Sequence, residues 1–378
     1  MMRFGLRCKV GYLVAGLLLF FIVTDVTLRF IQGTLGVFSA YTEIRRSTTR
    51  GEAFEPNSRW EMPVTYGDLA RFANVEDSKE RRSLRFSTDA LGFRNAEASG
   101  PVAGILFGDS FAMAGDDDRD TLSAQLGQRI GCTVYNAASP DAEFRRPDLS
   151  LVRSLAKRIG LANGFVMIEQ VERRALVART PREPRKRNKF LTSLSNSWRS
   201  FMSLTRESPV KRFAENTLRS IRDDRILPNS YQENVVRGIL RNGDPMLFLP
   251  NELKTDEITH LPPLDYWIKL NRDLDTLRLK LLVVLVPNKY TVYRHLLEGR
   301  QQTPAADQDL LSQFARALQA AGVSVINLTP VLKRHAETGL PRHQYVYWRN
   351  DTHWNDEGVR IAVDEIVRKF PQLTDACH

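Results

Sequence analysis

Cysteine is nearly absent: Cys8, Cys132 and Cys377 are the only three in 378 residues. Three thiols cannot build a disulfide framework, and none stands at CxxC or metal-ligand spacing, which excludes small disulfide scaffolds and zinc-cluster folds. An acidic excess is also missing, since 54 Lys and Arg face 44 Asp and Glu for a formal charge of +10. The uncharged apolar run near the N-terminus, residues 10–24, stops short of the roughly 20 residues of a full membrane span. What is present is ordinary globular material: apolar residues make up 42% of the chain and recur in runs, so disorder is excluded for most of its length. Its length suits one full α/β domain with additions, or two modest domains. The positive excess leaves nucleic acid, an anionic membrane surface or an acidic polymer as partner classes.

The N-terminal run VGYLVAGLLLFFIVT follows Arg3, Arg7 and Lys9, is interrupted by Asp25, and continues as VTLRFI. Its length lies between a signal-peptide core and a spanning helix. No small-x-small cleavage site follows at the expected distance, so residues 1–40 read as a cytoplasmic tail and an uncleaved, single-pass transmembrane helix. The basic flank keeps the N-terminus in the cytoplasm. The rest of the chain then lies in the periplasm or another extracytoplasmic space, carried on the inner (cytoplasmic) membrane. A buried N-terminal helix is the alternative, but the run has no amphipathic pattern. An exported, anchored chain makes nucleic acid an unfit partner.

Residues 41–100 are polar and mixed, and read as a juxtamembrane stalk and lead-in. From Ala103 short β-branched runs alternate with helical patterns, the mark of βαβ units and a parallel sheet. The strands are AGILF ending at Phe107, CTVYNA, FVMIEQV from Phe165, KLLVVLV over Lys280–Val286, and VSVINL. Helices are expected over Thr121–Ile130, Asp148–Ile159, DYWIKLNRDLDTLRL, Asp307–Ala321 and after Asn355. The fold class is therefore α/β, a flavodoxin-like three-layer sandwich on a parallel five-stranded sheet, in two parts (101–176 and 261–378) around an insert at 177–260. In such sheets ligands sit beyond the carboxyl ends of the strands.

Chemistry-bearing residues fall at those ends. Gly108-Asp109-Ser110-Phe111 follows the first strand and exposes a hydroxyl that needs a base to act as a nucleophile. Near the other end stands Asn350-Asp351-Thr352-His353-Trp354-Asn355. On an extended segment Asp351 and His353 share a face, so the carboxylate can orient the imidazole toward Ser110. Asn355 suits the N-cap of the last helix, with Gly358 in its first turn.

Together these blocks resemble the SGNH (GDSL-type) hydrolases, with Ser110 matching the nucleophile and Asp351 and His353 the terminal acid–base block. The variant YWRNDTHWN, and Pro287-Asn288-Lys289-Tyr290-Thr291-Val292-Tyr293 as P-x-K-x-x-x-Y, resemble the alginate O-acetyltransferase AlgX/AlgJ-like branch. Thr88–Arg94, ending in GFR, resembles the segment that precedes GDS in many SGNH proteins. The resemblance covers roughly residues 86–176 and 261–370 and leaves the insert outside. It implies an oxyanion hole from the serine N–H, a glycine after the second strand and an asparagine after the third. Ala138 stands in the glycine's place and keeps a backbone N–H, while Gln170 offers a side-chain donor for the missing asparagine. Losing one such donor costs on the order of 100- to 1,000-fold in rate.

The resemblance further implies a polysaccharide acceptor, an acyl-serine intermediate, and a membrane-embedded acyltransferase as acyl source, with no cofactor and no metal. Lys289, Tyr293 and Trp354 are candidate substrate contacts, though a strand-end lysine, a packed tyrosine and a packed tryptophan account for them equally. Asp116-Asp117-Asp118 reads as a solvated loop rather than a cation site. A carbohydrate esterase (deacetylase) differs only in the acceptor, and a non-catalytic scaffold subunit of a polysaccharide export complex remains a third reading.

The charge excess has one address. Residues 171–242 hold 17 Lys and Arg against 7 Asp and Glu, leaving 37 of each sign in the remainder. The basic insert emerges beyond strand three, at the predicted site's edge, and reads either as a lid or docking surface for an anionic glycan or headgroup, or as a solvated loop.

Overall fold

The computed structural model describes residues 11–27 apart from 14 and 18, 53–65, 67–70, 80–95, 101–139, 141–176, 235–254, 258, 260–299, 310–374 and 377. In chain order the strands are β1 (Arg59–Thr65), β2 (Arg82–Ser87), β3 (Val102–Phe107), β4 (Thr133–Asn136), β5 (Gly164–Val171), β6 (Val236–Ile239), β7 (Pro245–Phe248), β8 (Leu279–Val286) and β9 (Ser324–Asn327). Five of them form one parallel sheet in the order β4-β3-β5-β8-β9. Counted within the sheet this is 2-1-3-4-5, the flavodoxin order, as expected from the alternation. The central strands are apolar almost throughout because both faces are covered; in β8 Lys280 alone is exposed, and β5 is buried from Phe165 onward.

The covering helices are α1 (Leu122–Ile130), α2 (Leu149–Ile159), α3 (Glu172–Ala175), α4 (Asp265–Asp275), α5 (Lys289–Tyr293), α6 (Leu310–Ala320), α7 (Thr329–Gly339) and α8 (Asp356–Lys369). Polar caps start them where the sequence places Thr121, Asp148 and Asn355: each side chain accepts a backbone N–H of the first turn. Helix α1 packs with α8, and α2 with α4, in the two helical layers of the sandwich.

The lead-in folds onto this domain. Strands β1 and β2 form an antiparallel ribbon, and Phe54, Met62, Leu84, Phe86 and Phe93 join the same apolar core as β3, β5 and β8. Arg94 of the GFR segment is 1% exposed. Its guanidinium donates to the Asp118 carboxylate at 2.9 Å and to the carbonyls of Met113, Gly115 and Arg85, so it ties the loop after Ser110 to β2. The Asp116–Asp118 run is thus no solvated loop: Asp118 is buried in that pair, and Asp117 caps the turn that follows. The reason is Arg94, distant in sequence and invisible as a partner there. A second ribbon, β6 with β7, lies in the part of the chain assigned to the insert.

Apart from residues 14 and 18, residues 11–27 are helical with Leu13, Leu17, Phe20, Phe21 and Ile22 exposed, but among the described residues no helix is long and apolar enough to cross a membrane, so the expected transmembrane helix is not found there. The core of the basic insert, 177–234, lies outside the described residues.

Cys132, beside β4, is joined to Cys377 by a disulfide across 245 residues of sequence. Spacing gave no hint of it, since the pair meets only once α8 returns alongside α1. A crosslink this long is expected to add about 5 kcal/mol by restricting the unfolded chain. Replacing both cysteines with serine should lower the chemical-denaturation midpoint accordingly, and a reductant should do the same to the native chain but not to the variant.

Candidate active site

The sheet's carboxyl edge brings two loops together. After β3 the chain turns through Gly108–Phe111, and the Asp109 carboxylate accepts the Phe111 N–H at 3.0 Å. This Asx turn holds the half-buried Ser110 at its apex. The second Asp109 oxygen pairs with Arg174 Nε at 3.1 Å. The other loop runs from Asn350 to Asn355, where Asn355 Oδ1 accepts the Gly358 N–H at 2.9 Å and starts α8.

Within that loop His353 Nδ1 lies 2.6 Å from Asp351 Oδ1, and the His353 backbone N–H donates to the same oxygen at 3.0 Å. The segment bends rather than running extended, so the two side chains meet through a closed turn and not across one face of a strand. Both are buried, at 1% for Asp351 and 6% for His353. The Phe111 ring packs on the imidazole with centroids 4.9 Å apart, and Trp354 Nε1 donates to the Phe111 carbonyl at 3.0 Å. The serine turn and the Asp–His loop are therefore fastened to each other through the residues next to Ser110 and His353.

The lead-in supplies the remaining partners, none of which the sequence reading singled out. Arg82 Nη2 reaches Asp351 Oδ2 at 2.5 Å, and the Asp68 N–H donates to that oxygen at 3.2 Å. The Asp68 carboxylate in turn accepts the Thr352 N–H at 2.8 Å and the Thr352 hydroxyl at 2.6 Å. Leu69 and Ala70 donate to the Asn350 carbonyl, and the chain passes so close there that a Cβ on Gly67 would lie 2.1 Å from that oxygen.

Charge follows from these contacts. Burial works to raise the Asp351 pKa, yet Arg82 and His353 outweigh it and hold the carboxyl well below the usual carboxylate range. Burial alone would depress the imidazole, but the Asp351 charge and hydrogen bond prevail and leave His353 raised. Asp68 is pushed up by burial and by the facing Asp351. Two carboxylates in one site thus carry opposite shifts, and the arrangement gives an oriented basic imidazole one residue-contact away from a serine turn.

The other expected contacts lie elsewhere. Lys289, Tyr293 and Trp354 are all buried, Trp354 within the Asp–His loop itself. Lys289 Nζ donates to the carbonyls of Asp351, Trp348 and Arg349 at 2.7, 3.1 and 3.3 Å. Tyr293 accepts the Val346 N–H at 2.9 Å. Ala138 is buried with its N–H already given to Asn136 Oδ1 at 3.0 Å, and Gln170 Nε2 donates to the carbonyls of Arg145 and Glu169 at 2.6 and 2.9 Å. Both proposed oxyanion donors are thereby engaged by the fold, for their neighbours' polar groups are buried and require them.

Arg173, just past β5, lies with its guanidinium 5.2 Å from the Phe111 ring centre, steadied by Glu252 and Asn288 at 3.3 Å. The rule that sites form past the strand ends points to it, although no motif does. Asp68, Asp351 and His353 also have ligand-type atoms within 4.8 Å of one another. Arg82, Thr352 and the Asp68 N–H already occupy those carboxylates, and the guanidinium opposes a cation there. Substituting Lys289 with methionine should take the ammonium away from the Asp351 and Trp348 carbonyls, while the Arg349 carbonyl keeps the Leu247 N–H. We expect a loss of activity on the order of 100-fold, from misplacement of the loop, with far-ultraviolet circular dichroism unchanged.

Residues 247–376 match the family model described as SGNH hydrolase-like domain, acetyltransferase AlgX. The match runs from the end of β7 through α8, and with them Asp351, His353, Lys289 and Tyr293; Ser110, Arg82 and Asp68 lie before it. Residues 247–376 are therefore similar to an SGNH hydrolase-like domain of the AlgX kind. No curated protein matches the chain.

Proposed function

We propose that the protein is a serine acyltransferase that O-acetylates a polysaccharide outside the cytoplasm. The observation that carries this reading is the Asp351–His353 pair, fastened through Phe111 to the turn that presents Ser110. Ser110 Oγ attacks the donor's acyl carbon while His353 takes its proton, and Asp351 stabilises the imidazolium. The donor's bond to the acyl group breaks and His353 returns the proton to the leaving group. A sugar hydroxyl then attacks the acyl-serine and gives its proton to His353. The new ester forms, the Ser110–acyl bond breaks, and the serine recovers its proton.

Covalent labelling by a fluorophosphonate should mark Ser110 in the native chain and not in Ser110→Ala. Incubation with an activated acetyl ester and oligosaccharide should yield acetylated sugar in excess of free acetate. Free acetate alone would assign the esterase reading instead. Because Ala138 and Gln170 are engaged, absence of labelling would favour the scaffold subunit.

The exposed apolar face of residues 11–27 supports anchoring to the inner membrane, and the Cys132–Cys377 disulfide supports an oxidising compartment beyond it. Fusions truncated after the apolar helix should give active alkaline phosphatase and inactive β-galactosidase; the reverse pattern would place the domain in the cytoplasm. A membrane-embedded acyltransferase is the partner this topology calls for as acyl source.

A further inference from the structure

Beneath the serine turn lies a carboxyl group that the acyl-transfer steps do not use. Glu169, in β5, is 1% exposed. Its Oε2 accepts the Asp109 N–H at 3.1 Å, and its Oε1 is buried with no hydrogen-bond partner among the described residues. The fit is close: a Cβ on Gly108 would lie 2.7 Å from Glu169 Oε2 and 2.9 Å from the Ala112 Cβ, so only glycine lets the turn rest on this side chain. The nearest charges are Asp109 from the turn and Arg173 and Arg174 from α3. Of these, Arg174 already pairs with Asp109 at 3.1 Å, and Arg173 is bonded to Glu252 and Asn288. An ionised Glu169 would hold a second negative charge beside Asp109, with one buried oxygen lacking a protein donor, which proteins avoid by protonating the group.

We propose that Glu169 is a positioning residue: as a neutral carboxylic acid it supports the Gly108–Ser110 turn from below and sets the height and direction of the serine hydroxyl. Burial first, and the Asp109 charge second, push its carboxyl well above the usual range, in accord with the geometry. The inference rests on Ser110 as nucleophile for its catalytic consequence, but not for the protonation state or for the order of the turn.

Three measurements on the full chain test it. Difference infrared spectra of the native chain against Glu169→Gln at neutral pH should contain a protonated-carboxyl band belonging to Glu169, and its absence overturns the proposal whatever Ser110 does. Hydrogen exchange of the peptide spanning residues 108–111 should be native-like in Glu169→Gln and accelerated in Glu169→Leu. Equal exchange in all three overturns the supporting role. Activity in Glu169→Gln should stay within about 3-fold of native and persist at alkaline pH, where the native enzyme declines as the infrared band disappears; in Glu169→Leu it should fall on the order of 100-fold. A glutamine variant as impaired as the leucine variant would show that ionised Glu169 is required, and overturn the reading. Should Ser110 resist fluorophosphonate in native and glutamine chains alike, the proposed function fails, while the infrared and exchange results still decide the protonation and support of the turn.

Discussion

Ser110→Ala is expected to lower acyl release from an activated ester by on the order of 10⁴- to 10⁶-fold, and His353→Ala by a similar amount. The double variant should lose little more than either single one. Nucleophile and base act as one unit: once the serine cannot attack, an intact imidazole has no proton to take. Strict additivity of the two losses would mean that the residues act in separate steps. The pH profile carries a second check. His353 must be neutral to accept the serine proton, and its pKa is raised above 6.5 by Asp351 against the opposing effect of burial. Activity should therefore climb with pH along an acid limb centred above 6.5. Stability runs the other way. A raised imidazole stabilises the fold fully below the unfolded value, and that contribution is lost as pH rises through the folded one. Opposite slopes over the same window, both abolished in His353→Ala, would tie the two effects to one residue.

The sheet was legible because each buried parallel strand is a continuous apolar run, and because Thr121, Asp148 and Asn355 mark helix starts in chemistry as well as in position. The Ser110 block stood out because it follows the first sheet strand, and the Asp351–His353 block because it runs into the N-cap Asn355 of the last helix. Arg82 was not. It sits in a mixed run of charges, EDSKERRSLRF, where nothing marks one guanidinium as buried, and its partner Asp351 is 269 residues away. Asp68 escaped because its partner Thr352 lies 284 residues away. Lys289, Tyr293 and Trp354 read from the sequence equally as substrate contacts and as packing residues, and the fold buries all three. A lysine after a strand suggests substrate contact, yet here the ammonium is taken up by the carbonyls of Trp348, Arg349 and Asp351. The pairing of Cys132 with Cys377 depends on where α8 ends in space. Long-range polar partnership of this kind leaves no periodic trace in a sequence.

That same long-range contact sets the second large expectation. Arg82 spans two carboxylates, with Nη2 at 2.5 Å from Asp351 and Nε at 3.4 Å from Asp116, and its guanidinium stacks 4.6 Å from the Trp348 ring centre. Truncating one member of such a buried pair leaves the other charged and uncompensated, at a cost of about 3–5 kcal/mol. In Arg82→Met, Asp351 loses its principal cation and its carboxyl rises toward the ordinary range. Asp116, already pushed up to about 7 by burial against the pull of Arg82, rises further and takes a proton at neutral pH. We expect activity to fall on the order of 100- to 1,000-fold. Removing a positive charge from the Asp351–His353 pair also favours the imidazolium, so the acid limb should move to higher pH. Arg82→Lys should recover only part of the loss, because an ammonium keeps the charge but can neither bridge both carboxylates in a plane nor stack on Trp348. A methionine variant with native activity and an unmoved acid limb would show that Asp351 holds His353 without help from the lead-in. In that case the catalytic unit would be confined to the two loops of the sheet edge. A loss with a shifted limb would instead make β2 part of the site, since folding the lead-in onto the sheet is what delivers Arg82 to the acid.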